Sequence, residues 1–211
     1  MTKRRTAILI SGRGTNMRSL VEAAQDPAFP CEIVLVLSNR PDAAGLDWAK
    51  SRGAPTAIVD HRAFDSREAF ERAMQGTLEA HGVDLVCLAG FMRLLTGWFV
   101  GRWTGRMLNI HPALLPAYKG LHTHERALRD GVKIHGCTVH FVDLEMDAGP
   151  IVAQAAVPVA GDDTPETLGQ RVLRQEHLLY PHALRLIADP PRAATHQGDR
   201  DAMTRALVCP L

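Results

Sequence analysis

At 211 residues with 46% hydrophobic side chains, the chain is long enough for one large domain with a substantial core. Its 24 basic and 23 acidic residues give a formal net charge of +1, which excludes a global attraction to nucleic acid or to an anionic membrane. The four cysteines form no CxxC pair, and the first apolar run is too short for a signal peptide or a membrane span. We therefore expect a cytoplasmic protein with reduced thiols, in which any charged ligand is held by a local site.

Apolar runs alternate with helix-period segments from the N-terminus onward, a pattern typical of βαβ units. Strands are predicted at 6–10, 33–37, 56–59, 84–89, 106–111, 137–142 and 151–157. Helices are predicted after residue 14, at 43–51, from about 66 to 81, after 95, at 124–129 and from 164 onward. This order predicts an α/β, Rossmann-like fold, in which a mostly parallel twisted sheet of about seven strands has helices on both faces.

The C-terminal part of the chain carries two local predictions. Pro181 is expected to kink or break the last helix, because proline lacks the N–H that a helix interior needs. After Asp189 the composition turns polar without a clear period. We therefore predict a single domain over residues 1–189 and a polar tail over 190–211, with at most a weak helix around 201–208.

The first strand leads into a glycine-containing turn, Ser11-Gly12-Arg13-Gly14-Thr15-Asn16, just before a helix. The free N–H groups and the dipole of a helix N-terminus favour an anion, so the turn indicates a phosphate site. Met17 stands where a dinucleotide fingerprint needs its third glycine, and the Gly-Lys-Ser/Thr ending of a P-loop is absent. An ordinary tight turn is the alternative.

A second polar motif, Asn109-Ile110-His111-Pro112, ends the fifth predicted strand. Alternation along a strand places Asn109 and His111 on the same face, and Pro112 keeps His111 extended. An amide donor beside a titratable imidazole, at the edge where open α/β sheets bind ligands, is suited to activating a carbonyl group. The alternative is a strand end whose polar groups only satisfy backbone hydrogen bonds.

The loop between the last two strands contains three carboxylates, Asp143, Glu145 and Asp147. Asp147 is the candidate partner that keeps His111 protonated by ion pairing, although the other two compete for that role. A zinc site could be imagined from His122 and His124 with His135, His140 and these carboxylates. It would lack a third ligand at a recognised spacing, so we predict no metal.

Six motifs resemble, in order along the chain, those of the phosphoribosylglycinamide formyltransferases, folate-dependent enzymes of purine synthesis within the formyltransferase superfamily. They are Ser11-Gly12-Arg13-Gly14-Thr15-Asn16, Ala63-Phe64-Asp65-Ser66-Arg67, Leu88-Ala89-Gly90-Phe91-Met92-Arg93, Leu108-Asn109-Ile110-His111-Pro112, Gly120-Leu121-His122-Thr123-His124 and Gln175-Glu176-His177. The resemblance extends from Ala7 to Ile187. The Asn-Ile-His-Pro segment with a downstream Asp is shared by the wider superfamily and so implies only the chemistry, whereas the first turn and the segment from Leu121 to His124 make the resemblance more specific.

The resemblance implies that the formyl group of 10-formyltetrahydrofolate, the cosubstrate, is transferred to the amine of 5'-phosphoribosylglycinamide. Asn109 and His111 are implied to stabilise the tetrahedral intermediate, with Asp147 as the partner of His111. The ribonucleotide would be held by Gly14, Thr15, Asn16 and Glu176. The folate would be held by Arg67, Met92, Arg93, Leu94, Leu95, Asn109, Asp143, Leu144, Glu145, Met146 and Asp147. A cis peptide at Leu115–Pro116 is also implied.

Some positions depart from the family pattern, and other activities stay open. Arg13 replaces a small polar residue, Lys119 stands in a loop that lacks an expected second proline, and Ala148 replaces a glycine. The rivals are a 10-formyltetrahydrofolate hydrolase, a formyltransferase acting on charged tRNA or a nucleotide sugar, and a silent module that binds a phosphorylated ligand. We expect a hydrolase to carry a preceding regulatory domain and a tRNA enzyme a following basic module. Both a monomer and a homodimer are compatible with the sequence.

Overall fold

The computed structural model describes residues 2–189 and the pair Leu207–Val208. The strands are β1 (Arg4–Ile10), β2 (Cys31–Ser38), β3 (Thr56–Ile58), β4 (Leu85–Leu88), β5 (Met107–His111), β6 (Ile134–Phe141), β7 (Ile151–Pro158) and β8 (Leu207–Val208). The helices are α1 (Thr15–Ala24), α2 (Ala44–Ser51), α3 (Arg67–Ala80), α4 (Gly97–Arg102), α5 (Thr123–Arg129) and α6 (Pro165–Ala188), and a short 3-10 turn covers His61–Ala63.

The strands form one sheet in the order β3-β2-β1-β4-β5-β6-β7-β8. The pairs from β3 to β5 are parallel, β6 is antiparallel to both β5 and β7, and β8 is parallel to β7. The chain leaves β1 towards β2 and β3, and then returns to place β4 on the other side of β1. Such a reversal opens a crevice outside the carboxyl ends of the strands, where open α/β sheets bind ligands.

Helices cover both faces of the sheet. On one face, α1, α2 and α6 pack against the strands through a cluster that includes Met17, Leu46 and Val172. On the other face, α3 and α4 contribute Phe70 and Phe99 to a second cluster. The central strands are buried on both faces, which explains their continuous apolar runs. The predicted fold class and all seven predicted strands are therefore confirmed.

Two details differ from the expectations for the C-terminal part. Helix α6 continues through Pro181 to Ala188 without a break. A proline inside a helix costs about 3 kcal/mol, but the neighbouring Tyr180, Ala183 and Leu184 are fully buried, and burying a large apolar side chain returns roughly 1.5–3 kcal/mol. Leu207–Val208 is a strand rather than part of the predicted weak helix. Residues 190–206 and 209–211 lie outside the described residues, so the domain boundary at 189 stays a prediction.

Three of the four cysteines lie among the described residues. Cys31, Cys87 and Cys137 are free and buried, and burial raises the pKa of each thiol. The fourth cysteine, Cys209, lies outside the described residues. Within the described part of the chain, no helix has both the length and the apolar character that crossing a membrane requires.

Candidate active site

The turn after β1 begins the site. Gly14 precedes α1 with φ 65°, a left-handed conformation that favours glycine, and no side chain caps the helix. The first N–H groups of a helix have no acceptor within it, so those of Thr15 and Asn16 are free to bind an anion. This geometry fits the predicted phosphate site.

Helix α6 brings Glu176 to this turn. The hydroxyl of Tyr180, one helical turn further on, bonds the carbonyl oxygens of Leu88 and Leu108 at 3.1 Å each and so anchors α6 against β4 and β5. The Asn16 amide donates to a carboxylate oxygen of Glu176 at 2.7 Å. Burial raises the pKa of the Glu176 carboxyl, and the Asn16 bond opposes that rise. Two residues predicted for the ribonucleotide therefore contact each other.

The carboxyl end of β5 carries Asn109 and His111. His111 is buried, and its Nε2 lies 2.9 Å from the carbonyl oxygen of Tyr118. Because a carbonyl only accepts, Nε2 carries a proton. The other ring nitrogen, Nδ1, lies 3.4 Å from a carboxylate oxygen of Asp147. Both ring nitrogens thus face hydrogen-bond acceptors.

Of the three carboxylates in the acidic loop, Asp147 is the one that lies next to His111. Its Oδ2 also accepts the backbone N–H of Gly120 at 2.8 Å, which ties it to the loop after β5. Asp143 and Glu145 are exposed instead, and Glu145 pairs with Lys119 at 2.7 Å. The chain can make this turn because Gly149 passes very close to β6, where an added Cβ would lie 1.9 Å from the Phe141 carbonyl oxygen. The predicted contact between Asp147 and His111 is present.

A buried histidine that the sequence did not indicate for this role completes the site. His140 on β6 lies opposite Asn109 in the β5–β6 register, and the Asn109 amide nitrogen lies 3.2 Å from His140 Nε2. The other nitrogen, Nδ1, lies 2.9 Å from the Phe141 carbonyl oxygen. Burial lowers the pKa of His140, so its ring is neutral near neutral pH. In the sequence, His140 is one of several scattered histidines. No local pattern indicates that it lies opposite Asn109, so sequence reasoning could not assign it this role.

Backbone strain is concentrated here. Among the described residues, the non-glycine positions with positive φ are Tyr118 at 56°, His122 at 57° and Asp147 at 52°. Side chains disfavour this conformation, and such residues cluster at functional sites. The Leu115–Pro116 peptide between β5 and these residues is cis, as the resemblance implied.

Two adjoining cavities open at the crevice. The smaller, of about 400 Å³, is lined by residues 11–16 together with Asn39, Arg40 and His61. The larger, of about 880 Å³, contains Asn109, His111, His140, Asp147 and Glu176. Asn16, Gly90, Met92 and Arg93 line both cavities. The candidate catalytic groups therefore lie next to the candidate phosphate site.

The larger cavity has an apolar mouth. Several exposed large hydrophobic side chains lie on its wall, namely Met92, Leu94, Leu121, Leu144 and Met146. Leu95, Arg93 and Asp143 line it as well. Of the residues predicted for the folate, Arg67 and Glu145 are not among its lining residues, since Arg67 is exposed at the start of α3 and Glu145 points to Lys119.

The histidines weighed as zinc ligands serve other contacts. His122 pairs with Glu125 at 2.7 Å, and His124 Nδ1 lies 3.2 Å from His135 Nε2. Burial, with the adjacent His124, lowers the pKa of His135 to about 4. Among the described residues, no three His, Cys, Asp or Glu side chains form a group suited to a metal ion.

Known proteins are similar to this chain in sequence and in fold. The Formyl transferase family matches residues 4–184. The chain is 50% identical over 186 residues to the trifunctional purine biosynthetic protein adenosine-3 of Bos taurus, covering 88% of this chain and 18% of that protein. It is 44% identical over 182 residues to phosphoribosylglycinamide formyltransferase of Escherichia coli K12, covering 86% of each. The chain thus spans about a fifth of the trifunctional relatives and most of the bacterial one.

Solved structures agree. The crystal structure of phosphoribosylglycinamide formyltransferase from Brucella melitensis matches with a TM-score of 0.86 and 52% identity, covering 89% of this chain and 97% of that one. Glycinamide ribonucleotide transformylase 1 from Symbiobacterium toebii matches with a TM-score of 0.86 and 47% identity, covering 88% of each chain. The polar groups gathered at the end of β5 therefore lie in a fold shared with named formyl-transfer proteins, and the chain belongs to the formyltransferase family, within it to the phosphoribosylglycinamide formyltransferases.

Proposed function

We propose that this chain transfers the formyl group of 10-formyltetrahydrofolate to the glycinamide amine of 5'-phosphoribosylglycinamide in purine biosynthesis. The observation that carries the proposal is the convergence of Asn109, His111 and Asp147 in one cavity, beside the phosphate-binding turn at Asn16. The catalytic groups and the anion site are then close enough to act on one phosphorylated substrate.

The substrates divide the crevice between them. The ribonucleotide phosphate binds at Gly14, Thr15 and Asn16, and Glu176 accepts a hydrogen bond from a ribose hydroxyl. The folate ring system occupies the larger cavity, whose volume and apolar wall suit a flat heteroaromatic ligand. The side chains assigned to it are Met92, Arg93, Leu94, Leu95, Asp143, Leu144 and Met146. Arg67 and Glu145 stay predictions for the folate.

The chemistry follows from the charges that the site provides. The substrate amine attacks the formyl carbon, so a C–N bond forms and the carbonyl oxygen becomes an oxyanion. The free N–H of the Asn109 amide and the His111 imidazolium stabilise this oxyanion. At His111 Nε2, the oxyanion takes the place of the Tyr118 carbonyl oxygen as the hydrogen-bond acceptor. Asp147 balances the imidazolium charge. The amine proton then passes to the departing folate nitrogen as the original C–N bond breaks, and we assign this transfer to a water beside Asp147.

The test is to mix the protein with the ribonucleotide and a 10-formyl folate, and to follow the folate absorbance. We expect a change that requires the ribonucleotide. Loss of the formyl group at the same rate without the ribonucleotide would identify a hydrolase instead, and no change at all would favour a silent binding module.

The phosphate site is tested separately by comparing the ribonucleotide with its dephosphorylated analogue. We expect a much higher KM for the analogue, because a phosphate at a helix N-terminus gains charge-assisted hydrogen bonds. Equal KM values would contradict the assignment of Gly14, Thr15 and Asn16. A cytoplasmic location and a monomeric or homodimeric state stay predictions.

A further inference from the structure

The hydrogen bonds around His140 determine which end of the Asn109 amide faces it. The Phe141 carbonyl only accepts, so His140 Nδ1, at 2.9 Å from it, carries the single proton of the neutral ring. Nε2 is then an acceptor and requires a donor opposite it. At 3.2 Å from Nε2, the Asn109 amide must present its N–H₂ group, because its oxygen would place two lone pairs against each other.

An N–H₂ group has two hydrogens, and His140 takes only one. The second N–H of Asn109 is left for the cavity, which Asn109 lines together with His111 and His140. A flipped amide would present its oxygen to His140 and withdraw the donor from its present position. The identity of the group on β6 therefore decides whether Asn109 offers a correctly placed donor to a ligand.

We propose that His140 is a positioning residue that, as the neutral Nδ1–H tautomer, fixes the Asn109 amide so that its free N–H meets the formyl oxygen. This inference rests on the proposed function. His140 touches neither substrate in this assignment and acts only through Asn109.

The surroundings keep His140 in the required form. The charged groups that face it are Asp147, whose Oδ1 lies 3.7 Å from Nε2, and His111 of β5. On β7, the residue opposite His140 in the strand register is the uncharged Ile151. Burial outweighs the attraction of Asp147 and lowers the pKa of His140. A proton on Nε2 would flip the Asn109 amide and draw Asp147 away from His111.

The kinetic test uses two replacements that differ in the acceptor. His140→Gln places an amide oxygen near the position of Nε2, whereas His140→Leu removes the acceptor at similar size. We expect His140→Leu to lower kcat by about 10- to 100-fold with both KM values within about threefold, and His140→Gln to recover most of that loss. If His140→Leu does not fold, His140→Asn serves, because its shorter side chain withdraws the acceptor from Asn109.

A double-mutant cycle separates positioning from a general structural effect. In an Asn109→Ala background, removal of the His140 acceptor should lower kcat by less than about threefold, since no amide is left to orient. An undiminished loss in that background would overturn the inference, and so would a glutamine variant as slow as the leucine variant. Circular dichroism and thermal denaturation serve to check that the compared variants are folded.

A readout that does not depend on activity distinguishes failure of this inference from failure of the proposed function. Nitrogen-15 chemical shifts of histidine-labelled protein report the tautomer of each ring, and the His140 signals are assigned by their loss in His140→Gln. We expect a neutral ring protonated at Nδ1 at pH 7. A ring protonated at Nε2 would refute the orientation argument even if the enzyme turns over, whereas a correct tautomer without turnover would refute only the proposed function.

Discussion

Replacing Asp147 by Asn removes the negative charge beside His111 and keeps the size of the side chain. Asn tolerates the left-handed backbone at this position, so the loop should keep its shape. At the 3.4 Å separation and an effective dielectric constant of about 20, the lost attraction is about 5 kcal/mol. We expect about half of it to appear in the barrier, because the oxyanion also stabilises the imidazolium. A rise of about 2.5 kcal/mol lowers kcat by about 70-fold.

The assay is steady-state formyl transfer, followed by folate absorbance at saturating concentrations of both substrates. Asp26→Asn is the matched control, because it removes an exposed carboxylate that follows α1, at the opposite end of that helix from the turn at Gly14, and that lines neither cavity. It should leave kcat unchanged, and both variants should unfold near the wild-type temperature. A kcat within about threefold of wild type for folded Asp147→Asn would refute the pairing of Asp147 with His111 as a requirement of catalysis.

Asn109→Ala should lower kcat by about 10²- to 10³-fold with little change in KM, measured in the same assay, and an unchanged kcat would exclude the oxyanion role. Gly149→Ala should lower the melting temperature by several degrees, roughly the effect of 2–3 kcal/mol, because its Cβ would lie 1.9 Å from a backbone oxygen of Phe141. Gly161→Ala has no atom within 4 Å of its Cβ and should be neutral, so equal melting temperatures for the two would contradict the steric argument. The pKa of His135, about 4 in the folded state, is below its unfolded value, so the unfolded state binds more protons between these values. Stability should therefore fall by about 3 kcal/mol as pH drops from about 6.5 to 4 in urea titrations, less so in His135→Gln, and parallel pH profiles would refute the assignment.

Local patterns in the sequence were sufficient for the layers of the fold and for part of the site. Continuous apolar strands separated by helix-period segments have few stable arrangements other than a parallel sheet covered on both faces. The two-residue period of a strand is enough to place Asn109 and His111 on one face. Gly14 before a helix is enough to indicate an anion site. These features depend on neighbours within a few residues.

The partners of these groups required the tertiary structure. The sequence favoured Asp147 but left Asp143 and Glu145 as competitors, and the path of the loop past Gly149 determined that Asp147 reaches His111. His140 became the neighbour of Asn109 through the antiparallel register of β5 and β6, which no local pattern encodes.

Helix α6 also shows the difference between what local sequence favours and what tertiary packing determines. A proline inside a helix locally favours a break at Pro181, yet the buried side chains around it keep the helix intact, because packing energy summed over several residues exceeds one local penalty. The contact between Asn16 and Glu176 joins residues 160 positions apart. The sequence by itself determined the chemical groups and the strand and turn that present them. The tertiary structure determined which of those groups meet, because distances between residues far apart in the chain depend on the packing of the whole sheet.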